Sequence, residues 1–379
     1  MSPTRKILVL ACAVAIAAGC ATPAAPGSSA PSDPSTVPAS GAVFDLEAKT
    51  PGPNGETPTD STTIADLTDA EVQQIKDGNY DLTFLSSLAI TWFQGVQDGV
   101  VSEAERLGMN TTIGPVSNFS AETQLSDVET VMATKPDILI ALPNDPVSAA
   151  EAFRPVVDAG TTLVLYDNGI NGYTAGKEYV GIVTGDHYTM AKEAAKLIGD
   201  ALGGEGKLGF MPYDVTFFNT NNRDKAFRAA IQQWYPGIEI IEQGFADAAT
   251  TGEIADAMLT QHADLDGIFA SWSGGPTTSV LAALKAAGNT HVKVVSIDLD
   301  EANDLDMAMN GNYIGAAAEE TFTMGQMMVR AAAYKLLGKE FPPFVTVPTA
   351  VATRDTLLES WQRVYHKDPP AAVLEALKQ

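Results

Sequence analysis

Two stretches of this chain are one structural unit written twice. Residues 137–167 begin Asp137-Ile138-Leu139-Ile140-Ala141, pass through a helix-compatible segment that stops at Gly160, and close on Leu163-Val164-Leu165-Tyr166-Asp167. Residues 266–298 begin Asp266-Gly267-Ile268-Phe269-Ala270, stop at Gly288, and close on Val294-Val295-Ser296-Ile297-Asp298. An apolar strand, a crossover helix with a glycine stop and a second apolar strand make the βαβ unit of a parallel sheet. In both copies the second strand ends in a carboxylate. Ligands of open α/β sheets bind at the carboxyl ends of the strands. Two such sheets face to face would therefore set Asp167 and Asp298 on opposite walls of one cleft.

The alternation continues on both sides of the doubled unit. Strands are predicted at Asp81–Leu85, Asn110–Ile113, Ile138–Ala141, Leu163–Tyr166, Val180–Val183, Leu208–Met211, Glu239–Glu242, Gly267–Ala270 and Val292–Ile297. Helices fall between them at Thr91–Leu107, Ala121–Ala133, Val147–Asp158, Tyr188–Leu202, Arg223–Trp234, Thr251–Gln261 and Thr277–Ala287, several closed by Gly or by a following Pro. The predicted fold class is α/β with doubly wound parallel sheets, and the doubling argues for two of them.

The N-terminus indicates a compartment. Arg5-Lys6 precedes an uncharged apolar run from Ile7 to Ala18, followed by Gly19-Cys20. A run this short marks a secretory signal rather than a membrane span, so 1–19 reads as a signal peptide. Cys20 after small residues resembles a lipobox, which implies a lipid-bearing cysteine, although Ala17 stands where Leu is favoured. The other cysteine, Cys12, lies inside the signal, which leaves no internal disulfide, no Cys-ligated zinc and no Cys nucleophile. Residues 20–62, rich in Pro, Ser, Ala, Gly and Thr, read as a flexible tether. Thr68 with Glu71 predicts a capped helix in 63–77.

Acids outnumber bases 47 to 23, for a net charge of −24. Such a surface repels a phosphate backbone, which excludes nucleic acid as a partner. His187, His262, His291 and His366 form no metal-spaced pair, and His187 reads as a solvated histidine near a hinge. No nucleophile elbow or phosphate loop occurs. The chain is expected to be no enzyme and to use no cofactor or metal.

Residues from about Asp81 to Trp361 resemble the ribose-binding group of type I periplasmic binding proteins, the substrate receptors of sugar-importing ABC transporters. The segments that carry the resemblance are Ser86-Ser87 with Trp92-Phe93-Gln94-Gly95, then Leu163–Asp167, Asn222-Arg223-Asp224-Lys225, and Val294–Asp298. It implies two Rossmann-like lobes joined by a hinge of three crossings. The lobes would be 63–183 with 319–341, and 184–318 with 342–361, leaving 362–379 as a surface tail. It also implies a small sugar or polyol ligand, an ABC permease as partner, and a monomer lipid-anchored on the outer side of the membrane.

A sugar needs flat apolar faces and multi-toothed polar groups, and a charged hydrogen-bond partner contributes about 1.5–3 kcal/mol. By resemblance Trp92 offers a stacking face, with Phe93 beside it and Ser86 at the end of the first strand. Asp167 and Asp298 close their strands. Arg223 is placed by sequence at a helix start, where the dipole disfavours a cation and an anionic neighbour is called for. Asn168 stands where ribose receptors carry Arg, Trp272 where they carry Asn, and Glu319 where they carry Gln. These nine residues form the candidate ligand site, while Tyr213, Phe217 and Phe245 read as packing. Asp167 and Asp298 are expected to face an open cleft. Two further readings stand beside this one. One is a sensory lipoprotein of the same fold that docks a receptor kinase. The other, allowed by the paired carboxylates, is a secreted glycoside hydrolase.

Overall fold

The computed structural model describes Phe44–Gln379; the expected signal peptide, Cys20 and the first part of the tether lie outside the described residues. Strands β1 (Thr59–Asp60), β2 (Asp81–Ser86), β3 (Asn110–Val116), β4 (Ile138–Ala141), β5 (Thr162–Tyr166) and β6 (Ile182–Gly185) enter one sheet. Strands β7 (Glu205–Met211), β8 (Gly237–Glu242), β9 (Gly267–Ala270), β10 (Lys293–Ile297) and β11 (Tyr313–Glu319) enter a second. Then β12 (Phe344–Val347) returns to the first sheet and β13 (Thr349–Ala352) to the second.

The first sheet runs β1-β12-β6-β5-β4-β2-β3, parallel at every pair. The second runs β13-β11-β10-β9-β7-β8, with only β13 antiparallel to its neighbour. Helices cover both faces, so the central strands β4 and β9 are buried throughout and read as unbroken apolar runs. In the first lobe, helix Thr91–Arg106 packs backbone to backbone on helix Thr321–Leu336. A Cβ at Gly99 would run into the Phe322 carbonyl, and one at Gly325 into that of Val96.

Beyond the N-terminal arm, the chain crosses between lobes after Gly185, after Glu319 and at Pro348. The third crossing lies later than expected: residues 344–347 complete the first sheet rather than beginning the second lobe's closing segment. The expected surface tail is also corrected. Helices Leu357–Tyr365 and Ala371–Ala376 bury Val364, Tyr365, Val373 and Ala376 in the second lobe's core.

The described part of the expected tether is not a tether. Leu46 packs in the second lobe's core, and Thr50 donates to Asp186 Oδ1 from its backbone at 3.1 Å and its hydroxyl at 3.0 Å. Ten residues on, β1 pairs with β12 in the first lobe's sheet. This N-terminal arm therefore straps both lobes. The helix read over 147–158 is two short pieces, Ala149–Ala152 and Arg154–Asp158, around the missing amide hydrogen of Pro155.

Candidate functional site

A cavity of about 330 Å³ lies between the lobes, at the carboxyl ends of both sheets. The doubled unit repeats down to its last peptide. Asp167 and Asp298 both adopt left-handed backbone, φ 57° and 67°. Their amides donate to the neighbouring strand, to Val183 O at 3.2 Å and Ala317 O at 3.0 Å. Left-handed residues other than Gly are uncommon, and they cluster at functional sites.

The cleft is closed, not open as expected. Asp167 Oδ1 accepts from Thr184 at 2.7 Å, and Oδ2 accepts from Asn219 Nδ2 of the opposite lobe at 3.1 Å. Thr91 Oγ1 donates across the cleft to Asp300 Oδ2 at 3.2 Å. Phe119 meets Phe217 edge-on across it, at 5.6 Å between ring centres. Asp167 and Asp298 are consequently buried.

At the hinge, Glu319 Oε1 accepts from the Trp92 indole at 2.9 Å. Burial pushes Asp167 up to about 6 and Asp298 to about 7, and Arg223 partly offsets the rise in each. Burial, with Asp167 and Asp298 beside it, pushes Glu319 well above the usual carboxylate range. His187 is buried rather than solvated. Burial and the Arg223 charge hold it well below its ordinary value, and its Nε2 lies 2.9 Å from Thr184 Oγ1. Thr184 has one hydroxyl proton, and with Asp167 ionised that proton is donated to the carboxylate. His187 then donates from Nε2.

Arg223 does not open its helix. The helix begins at Phe218, so Arg223 lies in its second turn and the dipole argument does not apply. It is buried, Nη2 donates to Ser271 O at 2.7 Å, and its neighbours are the acids Asp167, Asp224 and Asp298. The anionic surroundings expected of it are present, for a different reason.

Of the nine expected residues, Trp92, Phe93, Asp167, Arg223, Trp272, Asp298 and Glu319 line the cavity. Ser86 and Asn168 do not. Each satisfies a loop carbonyl instead: Ser86 Oγ donates to Leu88 O at 2.6 Å, and Asn168 Nδ2 to Pro143 O at 3.0 Å. Tyr213 and Phe217 line the cavity, while Phe245 packs behind Trp272 at 5.2 Å. Sequence reasoning missed Asn219, Phe119 and Asp300. Residues 217–222 carry no strong helix former and no side-chain cap, so nothing marked the first turn that presents Asn219. Phe119 sits in a turn with φ 56°, a conformation aromatics rarely adopt.

A family model described as a periplasmic binding protein domain matches residues 83–340. The chain is 23% identical over 269 residues to a D-ribose/D-allose-binding protein of Pseudomonas aeruginosa, covering 68% of this chain and 82% of that one. It is 24% identical over 242 residues to a D-apiose import binding protein of Actinobacillus succinogenes, covering 63% and 76%. Among solved structures, an ABC transporter solute-binding protein from Agrobacterium vitis, bound with α-D-tagatopyranose, superposes with a TM-score of 0.70. It is 20% identical and covers 76% of this chain and all of that one. At that identity the likeness shows the fold.

Proposed function

We propose, because the chain belongs to the type I periplasmic binding proteins, an extracytoplasmic family of solute receptors rather than enzymes, that it captures a small sugar or sugar alcohol between its lobes and delivers it to the permease of an ABC importer. The observation that carries this reading is unmet polar capacity around one cavity. Asp298 Oδ1, Glu319 Oε2 and Arg223 Nε are buried without a protein partner. A buried polar atom left unpaired costs about 1–3 kcal/mol, and hydroxyls of a ligand beside Asp298 and Arg223 can supply partners. The ribose/allose and apiose receptors among its relatives, and the tagatose-bound neighbour, support the same ligand class. Ligand contacts to both lobes favour the closed arrangement in proportion to the affinity gained on closure.

Membrane attachment falls to a lipid on Cys20, which holds a monomeric receptor at the outer face. Cys20→Ala should leave the body folded and move it from the membrane to the soluble fraction; retention with membranes would place the anchor elsewhere. The capture reading is tested by calorimetry and thermal shift over pentoses, hexoses, tetritols, pentitols and simple glycosides. A ligand at one hundred times its Kd should add about 2.7 kcal/mol of stability. A panel without any shift would refute the reading.

A further inference from the structure

The cavity has two chemically different ends. The unmet polar atoms belong to Asp298, Glu319 and Arg223. Asp298 follows β10 and Glu319 ends β11, on the side of the sheet where the chain crosses between lobes. Two other carboxylates of the lining cap helix starts. Asp300 accepts from Ala302 N at 3.1 Å and from Thr91, and Asp247 accepts from Ala249 N at 2.9 Å. Ser273 and Thr220, also in the lining, bond within the protein, to Asn303 Nδ2 at 2.7 Å and Phe217 O at 3.3 Å.

Away from the crossings the wall is mainly carbon, with the capping Asp247 and Asp300 set into it. Leu88 and Ile90 come from the loop after β2, and Ala246 and Ala248 from the loop after β8. Six rings form an unbroken belt from one lobe to the other. Ring centres lie 5.0 Å apart for Trp272–Tyr213, 6.4 Å for Tyr213–Phe217 and 5.6 Å for Phe217–Phe119. The belt continues at 6.2 Å for Phe119–Phe93 and 4.7 Å for Phe93–Trp92.

A hydroxyl pressed against carbon loses its water and gains no partner, so a ring hydroxylated on every side suits only one end of this cavity. Resting on the capture reading, we infer that the ligand is a hydroxylated ring carrying an apolar or aromatic substituent. Its hydroxyls face Asp167, Arg223, Asp298 and Glu319. The substituent lies along the belt, against Trp272, Leu88 and Ile90, where an aromatic face favours offset or edge contact.

Matched probes test this by calorimetric titration of the purified chain: D-ribose beside 5-methylthio-D-ribose and adenosine, and D-galactose beside phenyl β-D-galactopyranoside. In the series that binds, the substituted member should bind at least tenfold tighter than its parent. Trp272→Asn should weaken the substituted member at least tenfold more than the parent. Ile90→Thr, at a partly exposed position, reads the same ratio where the tryptophan variant does not fold. A parent sugar that binds as tightly as its substituted partner, or tighter, overturns the inference and leaves the capture reading standing. Binding of none of the probes to a protein with a native melting transition overturns the inference; the capture reading falls only if the wider panel of sugars and polyols is silent as well.

Discussion

At the scale of the residue, Asp298 joins a backbone role to a charge role, and the two can be separated. Its left-handed backbone is one that Asn also tolerates, whereas Ala there adds strain on the order of 1 kcal/mol. Burial raises its pKa from 3.8 to about 7. A carboxyl whose folded pKa is raised stabilises the fold while protonated. That contribution is full below about pH 4 and is lost as pH climbs towards 7. Asn cannot ionise. The stability difference between Asp298→Asn and the parent should therefore move in the variant's favour between those limits and level off above them. At about 1.4 kcal/mol per pH unit the change is at most on the order of 4 kcal/mol, and coupling to Asp167 and Glu319 spreads it. Melting curves across this range check it, and a difference independent of pH would show that Asp298 titrates as it does unfolded. Arg223→Lys keeps the charge but loses the planar fork, and should weaken ligand binding about tenfold to a hundredfold by calorimetry; equal Kd values would remove Arg223 from ligand contact. Both Asp residues were legible because each ends an apolar strand in a repeated unit. Ser86 and Asn168 lie outside the cavity lining, because sequence gives a polar side chain's position but not which nearby carbonyl claims it.

At the scale of the element, legibility followed periodicity. Strand β4, strand β9 and helix Thr251–Gln261 lie where unbroken apolar runs and the succession of strands and helices place them. The N-terminal arm has no such signal. Between Phe44 and Pro58 it forms no regular element, and it is ordered by the lobes it touches. Similarly, Phe344–Ala352 reads as one apolar stretch, yet Pro348, with no amide hydrogen, separates strands of two different sheets. The strap's hold can be measured at Thr50. Its fully buried hydroxyl donates to Asp186 and accepts from Tyr188 N at 2.8 Å, at the start of the helix that follows the first crossing. Thr50→Val leaves both partners short in a buried setting and should cost about 1–3 kcal/mol in urea denaturation. An unchanged midpoint would mean the arm merely lies on the lobes.

At the scale of the whole molecule, two lobes could be read from the sequence, because a doubled βαβ series too long for one comfortable sheet divides into two. Closure could not be read, since open and closed forms use the same strands and helices and differ only in contacts between lobes. Those contacts include Asn219 to Asp167, Thr91 to Asp300, Lys367 to Asp98, Phe218 against Phe344 and Phe119 against Phe217. The last pair stands apart, because Phe119 is 38% exposed and so contributes little to its own lobe's core. An edge-on ring contact is worth about 0.5–1.5 kcal/mol, and this one exists only when the lobes are together. Removing it should therefore destabilise the closed complex without impeding ligand entry into the open form. Phe119→Gly suits the left-handed φ of 56° at that position. It should speed ligand release by about twofold to tenfold while the association rate changes less. Stopped-flow tryptophan fluorescence separates the two rates. A variant whose affinity falls through slower association would instead assign Phe119 to capture of the ligand, and closure would then rest on the remaining contacts between the lobes.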